Sequence, residues 1–221
     1  METLEIVPTV AQYAEQVLGK EKFRYVSAVV ASCKMLALQL EAEQEQNESG
    51  DAAENAPPAI DMEALIIAAY LHDISVAECG VEEHQRMSAE MALEFLQDID
   101  VPEERIKKVQ QAILLHTTPL PAEQRDEASI EGRILYDADQ LGRLSGLAVV
   151  TSLIEFGARY PNRAINGDVL AAILRHIEER FVELYQSLYT APAREMAQAK
   201  FGSTLAFLDG VIEHLSDATP V

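Results

Sequence analysis

The feature that most restricts how this chain can fold is the run Ile60–Ser75, IDMEALIIAAYLHDIS, the most hydrophobic segment in the sequence. It is apolar on nearly every side, which marks a buried central helix rather than an amphipathic surface one. Its last turn carries His72 and Asp73. An imidazole and a carboxylate at the end of a buried helix need compensation, because an unpaired buried charge is costly and tends to neutralise. Coordinating a metal ion is one way to supply it; capping the helix end and facing water is another.

The remaining segments read as helices packed around that one. Gly and Pro are few and apolar residues recur in three- and four-residue steps, so the expectation is an all-α bundle without strands. A first helix over Val10–Leu18 stops at Gly19, and a second from about Lys20 to Leu40 aligns Tyr25, Val29, Cys33, Leu36 and Leu40, which turns Tyr25 inward. Between about 41 and 58 the sequence becomes acidic and amide-rich and closes on a Pro pair, as a loop insertion would. A helix over His84–Leu96 follows, with Met87, Met91 or Ala92, and Phe95 on its core face. Asp100 then reads as the N-cap of a helix whose stripe Ile106, Val109, Ile113 continues to His116.

After a Pro-containing loop over Thr117–Glu127, a long helix runs from Ile130 to about Phe156, with Asp137 and Asp139 on either border of the stripe Ile134, Ala138, Leu141. Periodicity does not choose between the two acids. Closing helices occupy about 168–216, the first with Leu170, Ile173, Ile177, Phe181, Leu184 and Leu188 on its stripe. The second is capped by Thr190 and carries Phe201, Leu205, Leu208 and Ile212. The whole of 1–221 is expected to form a single helical domain.

Composition narrows the partners. A net charge of -20 repels phosphate backbones and anionic lipid, which argues against nucleic-acid and membrane binding but leaves room for a small anionic substrate where Arg or Lys gather locally. Cys33 and Cys79 lack any CxxC or zinc-like spacing, the N-terminus METLEIVPTV lacks the pattern of a signal peptide, and the central run is too short to span a bilayer. A cytoplasmic protein is expected.

A pocket drawn from His72, Asp73, His84, His116 and Asp139 mixes imidazole with carboxylate, a set that suits iron, manganese or zinc better than magnesium. Singly each has a dull explanation, a hydrogen-bonded core histidine or a solvated surface acid. His176 and His214 sit among charged residues in late helices and stay outside the set.

The order of these pieces resembles the HD-domain superfamily of metal-dependent phosphohydrolases: an apolar helix ending in His-Asp, HQRMSAEMA, VPEERIKKVQQAILLH, then DADQLGRL. Within it the pattern is similar to uncharacterised bacterial HD hydrolases, down to the tail LYQSLYTAPAREMAQAKF, over about Lys20 to Leu208. The resemblance implies that His72, Asp73 and Asp139 bind a transition metal, divalent or trivalent, and that His84 and His116 are added ligands of members holding two ions, with Asp73 bridging. It selects Asp139 over Asp137.

There is one departure at the first ligand. Where the family has a His, the stretch KFRYVSAV has Tyr25, and a neutral phenol with a reference pKa of about 10 is a poor ligand unless a strong Lewis acid stabilises it. Tyr25 therefore ligates directly, leaves one ion at the other position, or accompanies an empty site; partial metal binding is favoured. The Gly and Lys that follow His-Asp in the family are absent, since Ile74, Ser75 and Val76 stand there.

By the resemblance, the expected activity is hydrolysis of a phosphate ester or nucleotide. Asp73 would orient water, an unligated His84 or His116 would shuttle a proton, and Arg86 and Arg143 would be the first basic side chains to test for phosphate contact. A decayed HD fold serving as a regulatory or binding module, and an HD-type di-iron oxygenase, are the alternatives.

Overall fold

The computed structural model describes residues 6–47, 59–76, 84–143, 146–161 and 167–217, and among these there are helices and turns but no strand. The chain divides into two compact units, Met1–Asp139 and Gln140–Val221.

In the first unit, α1 spans Ile6–Asn47. Gly19 interrupts it at φ 72, in the left-handed region that glycine enters without a Cβ clash, so the break expected at that residue is a kink inside one long helix. The helix also runs past Glu41, where a loop was expected. Ala, Glu and Gln hold a helix by propensity without needing a core, and of the acidic insertion the remainder, 48–58, lies outside the described residues. Residues Ile6–Glu45 are long and apolar enough to cross a membrane by length and composition alone. Here, however, the stripe Val26, Val29, Val30, Cys33, Leu36 and Ala37 is buried, and α1 packs against the apolar helix that follows.

That helix, α2, spans Met62–Leu71, and Ala64–Ala69 and Leu71 are all buried. Asp61 caps it, its Oδ1 accepting from the backbone N–H of Ala64 at 3.0 Å. It ends sooner than its apolar run suggests: His72–Ser75 form a turn. Next, α3 spans His84–Asp98 and buries His84, Ser88, Ala89, Ala92 and Leu96. Of the expected core residues Ala92 is buried, while Met87, Met91 and Phe95 are only half-buried, so the inward face is rotated from the stripe Met87–Phe95 onto the one that begins at His84; Phe95 instead stacks on Tyr13 with ring centroids 3.8 Å apart.

Asp100 does not cap the following helix. It closes the preceding one, sitting at φ 56 with its N–H bonded to the Gln97 carbonyl and the Val101 N–H bonded to the Leu96 carbonyl, the paired bonds of a Schellman motif. Pro102 takes the N-cap position of α4, Glu103–Leu115, which buries Ile106, Val109, Ala112 and Ile113 and packs on both α2 and α3. A 3-10 helix over Ala122–Glu127 lies in the Pro-containing loop. Then α5, Ile130–Arg143, begins in the first unit; a Cβ on Gly132 would meet Leu115 Cδ2 at 2.8 Å, so this position lets α5 lie close to α4.

The single helix expected from Ile130 to Phe156 is two: α6 begins at Gly146 and ends at Arg159. In the second unit, α7 spans Gly167–Ser187 and α8 spans Ala191–Asp217. Thr190 Oγ1 accepts from the Ala193 N–H at 3.3 Å, as an N-cap should. Phe181 meets Phe201 with centroids 5.5 Å apart, and Lys200 Nζ donates to the Leu141 carbonyl at 3.0 Å. Of the two closing stripes, the side chains of Leu170, Ile173, Ile177, Leu205, Leu208 and Ile212 lie outside the described residues.

Candidate metal centre

The end of α2 delivers the first imidazole. His72 is fully buried, and its Nδ1 donates to the Ala69 carbonyl one turn back at 2.8 Å. That bond leaves Nε2 as the lone-pair nitrogen of a neutral ring. Burial, helped by nearby His116, lowers the His72 pKa against the opposing pull of Asp73 and Asp139, which keeps the ring neutral. Its Nε2 has no hydrogen-bond partner; it faces Asp73 Oδ2 at 3.5 Å and Asp139 Oδ1 at 3.9 Å. A lone pair aimed at two carboxylates is unfavourable unless something positive lies between them.

His116, at the C-cap of α4, repeats the device: its Nδ1 hydrogen-bonds the Ile113 carbonyl, three residues back, and its Nε2 turns toward the same place. There it meets His84 Nε2 at 3.1 Å and Asp73 Oδ1 at 3.4 Å, while His84 Nε2 lies 3.2 Å from Asp73 Oδ1. Asp73 therefore sits between two groups, one oxygen toward His72 and the other toward His84 and His116. Burial alone would raise its pKa, but the His116 hydrogen bond and the charges of His72, His116 and His84 outweigh it and hold the carboxyl well below its ordinary range.

The fourth contribution comes from α5 and α1. Asp137 and Asp139 are both buried, which is why sequence periodicity could not separate them, and it is Asp139 whose carboxylate meets His72. Tyr25 is not turned into the core as its stripe suggested: its ring is exposed, with only the hydroxyl reaching inward to donate to Asp139 Oδ1 at 2.6 Å. Beneath this pair lies Cys33, whose thiol is pushed far up by burial and by the charges of Asp139 and Asp137 and so stays neutral.

Two residues escaped the sequence reading. The Ser75 hydroxyl donates to the His84 carbonyl at 2.8 Å and lies 2.9 Å from Ser88 Oγ, which also accepts the Ser75 N–H at 3.2 Å. This pins the start of α3, and with it His84, to the turn after Asp73. The available signal was a pair of small polar residues inside buried faces. Of the two arginines, Arg86 is not brought in; it is exposed and pairs with Glu90 at 2.9 Å. The Arg143 side chain lies outside the described residues.

These donors fit a cation. His72, Asp73 and His116 each place one ligand atom within 4.8 Å of the others. Three imidazoles, those of His72 and His116 locked at Nδ1 by backbone carbonyls, form with two carboxylates a nitrogen and oxygen set suited to a transition ion.

Among curated proteins, none matches the sequence. Among solved structures, an HD-superfamily hydrolase from Bacillus thuringiensis matches with 20% identity and a TM-score of 0.65, covering 95% of this chain and 96% of that one. A predicted HD superfamily hydrolase from an uncultured Thermotogales bacterium matches with 20% identity and a TM-score of 0.58, over 96% and 92%. The Lin1889 protein of Listeria innocua matches with 17% identity and a TM-score of 0.65, over 98% of each chain. The HD domain pattern itself covers residues 26–144, more than half the chain and all of the proposed centre except Tyr25, and the chain belongs to the HD domain family.

Proposed function

We propose that this protein is a metal-dependent phosphohydrolase acting on a small phosphate ester or nucleotide. One observation carries the reading: the unpartnered Nε2 of His72 faces two carboxylates, beside two further imidazoles meeting the same Asp73. His72, Asp73, His84, His116 and Asp139 would hold one or two ions, iron or manganese before zinc. Such an ion, when bound, supplies Lewis-acid polarisation of a phosphoryl oxygen and lowers the pKa of water toward neutrality.

The chain's own residues supply the rest. Asp73, kept ionised, orients the attacking water through whichever oxygen lone pair remains. Where only one ion is held and it leaves His84 or His116 unligated, that ring can take a proton at Nε2, with the backbone bond at His116 Nδ1 holding the His116 ring in place. Arg143, four positions after Asp139, is the basic side chain proposed for phosphate, since Arg86 is tied to Glu90 on the surface. The acidic surface disfavours nucleic acid and anionic membranes as partners and fits a cytoplasmic setting.

The test is metal analysis of protein purified without chelator, followed by a phosphatase screen with added manganese or iron. Bound metal and turnover support the reading; no metal and no turnover end it. The Tyr25–Asp139 bond favours a second reading, a fold that has lost catalysis and serves as a binding module. Turnover absent in the native protein but gained on Tyr25→His would establish that one.

A further inference from the structure

The donors of the centre fall into two groups joined by Asp73, and the groups are not equivalent. Neighbouring ligand atoms about 2.0–2.2 Å from a shared ion lie roughly 2.8–3.6 Å from one another. His84 Nε2, His116 Nε2 and Asp73 Oδ1 are already separated by 3.1, 3.2 and 3.4 Å. His72 Nε2, by contrast, is 3.5 Å from Asp73 Oδ2, at the outer edge of that range, and 3.9 Å from Asp139 Oδ1, beyond it, so in that group Asp139 must move in to share an ion with His72. It is also the group in which a carboxylate oxygen is occupied: Asp139 Oδ1 takes the Tyr25 hydroxyl at 2.6 Å, a short bond to an acceptor that an ion would have to share or displace.

From this geometry we infer that Tyr25 is a hydrogen-bond cap on Asp139 that makes metal loading asymmetric: one ion is held tightly by Asp73, His84 and His116, and the His72–Asp139 half takes a second ion only weakly. Tyr25 is a positioning residue here, acting through Asp139 rather than as a ligand. The inference rests on the metal-centre reading above and adds to it an order of filling and a cause.

The experiment is calorimetric titration of the metal-free full chain with Mn(II), with bound metal counted by mass spectrometry and the Mn(II) electron paramagnetic resonance spectrum recorded at each equivalent. The native protein should show one tight step with the spectrum of an isolated ion, and a second step at least tenfold weaker. Tyr25→Phe should leave the first step unchanged and tighten the second several-fold. Tyr25→His, which offers a nitrogen in place of the cap, should bring the second step close to the first and produce the spectrum of a coupled pair. His84→Ala should remove the tight step.

Two equal steps in the native protein overturn the inference, as does a second step that neither Tyr25 variant moves, or a tight step lost in His72→Ala but kept in His84→Ala. Binding of no ion by any variant, with circular dichroism showing each one folded, instead removes the metal centre itself.

Discussion

At the N-terminal end of α2, the charged side chains meet groups of opposite sign and the backbone N–H groups meet carboxylates. Asp61 accepts from the Ala64 N–H and, through Oδ2, from Lys108 at 3.3 Å and Arg105 at 3.5 Å; its own N–H donates to Glu131 at 2.9 Å, and Arg105 also pairs with Glu63. At the C-terminal end, ten residues later, acceptors face acceptors: the His72 lone pair looks at Asp73 and Asp139. One end of the helix is completed by protein alone and the other is not. The difference separates residues that hold the fold from residues arranged for something the chain does not itself provide.

The largest expected effect breaks the incomplete end. Asp73→Asn removes the carboxylate shared by both donor groups and should abolish Mn(II) binding by calorimetry and, on the function proposed above, lower turnover about a thousandfold, while circular dichroism stays that of the native fold. Next is removal of the ion. An ion present at a hundred times its dissociation constant adds about 2.7 kcal/mol to stability, so chelation should lower the melting temperature by roughly 5–10 °C, and in Asp73→Asn the difference should vanish.

Smaller effects compare the two ends directly in metal-free protein. Asp61→Ala loses a helix cap and the ion pair to Lys108, leaving Arg105 only Glu63, and should cost about 1–2 kcal/mol in denaturant unfolding. His72→Leu removes the unpartnered Nε2 but also the buried Nδ1 bond to the Ala69 carbonyl, two opposing effects, and should change stability by less than about 1 kcal/mol. An equal loss from both substitutions would erase the distinction between the ends.

The smallest effect is in the acid limb. Burial raises the Asp61 pKa, but the Ala64 N–H, Lys108 and Arg105 together outweigh it and hold it below its ordinary value. Stability from this group is therefore complete above the unfolded value of about 3.9 and is lost as pH falls through the lower folded value. Asp61→Asn should flatten that part of the acid-unfolding curve in chelated protein.

How much of this the sequence discloses depends on what kind of information each feature requires. The apolar run before His72 and the stripe Ile106, Val109, Ile113 before His116 announce buried helices, because burial leaves a periodic trace. Asp139 against Asp137 leaves none, since both are buried and it is the contacts with His72 and Tyr25, from the end of α2 and from α1, that mark out Asp139. The inward turn of His84 was concealed by a competing stripe of Met87, Met91 and Phe95, and is enforced by Ser75 and Ser88, which are close in space but not in pattern. Asp100 illustrates a local ambiguity: the residue suits either an N-cap or a left-handed helix ending, and the Leu96 carbonyl decides it. Tyr25 combines both limits, its backbone position readable from the stripe and its exposed ring with a reaching hydroxyl not.

Cys33 has a practical consequence. Its thiol, on the buried face of α1 near the acids of α5, is kept in the unreactive protonated form, so a soluble alkylating reagent can reach it only when that packing opens. In a background where Cys79 is replaced by Ser, the rate of Cys33 labelling becomes an internal clock for breathing of the helices beneath the centre, readable with and without metal and without any attached dye.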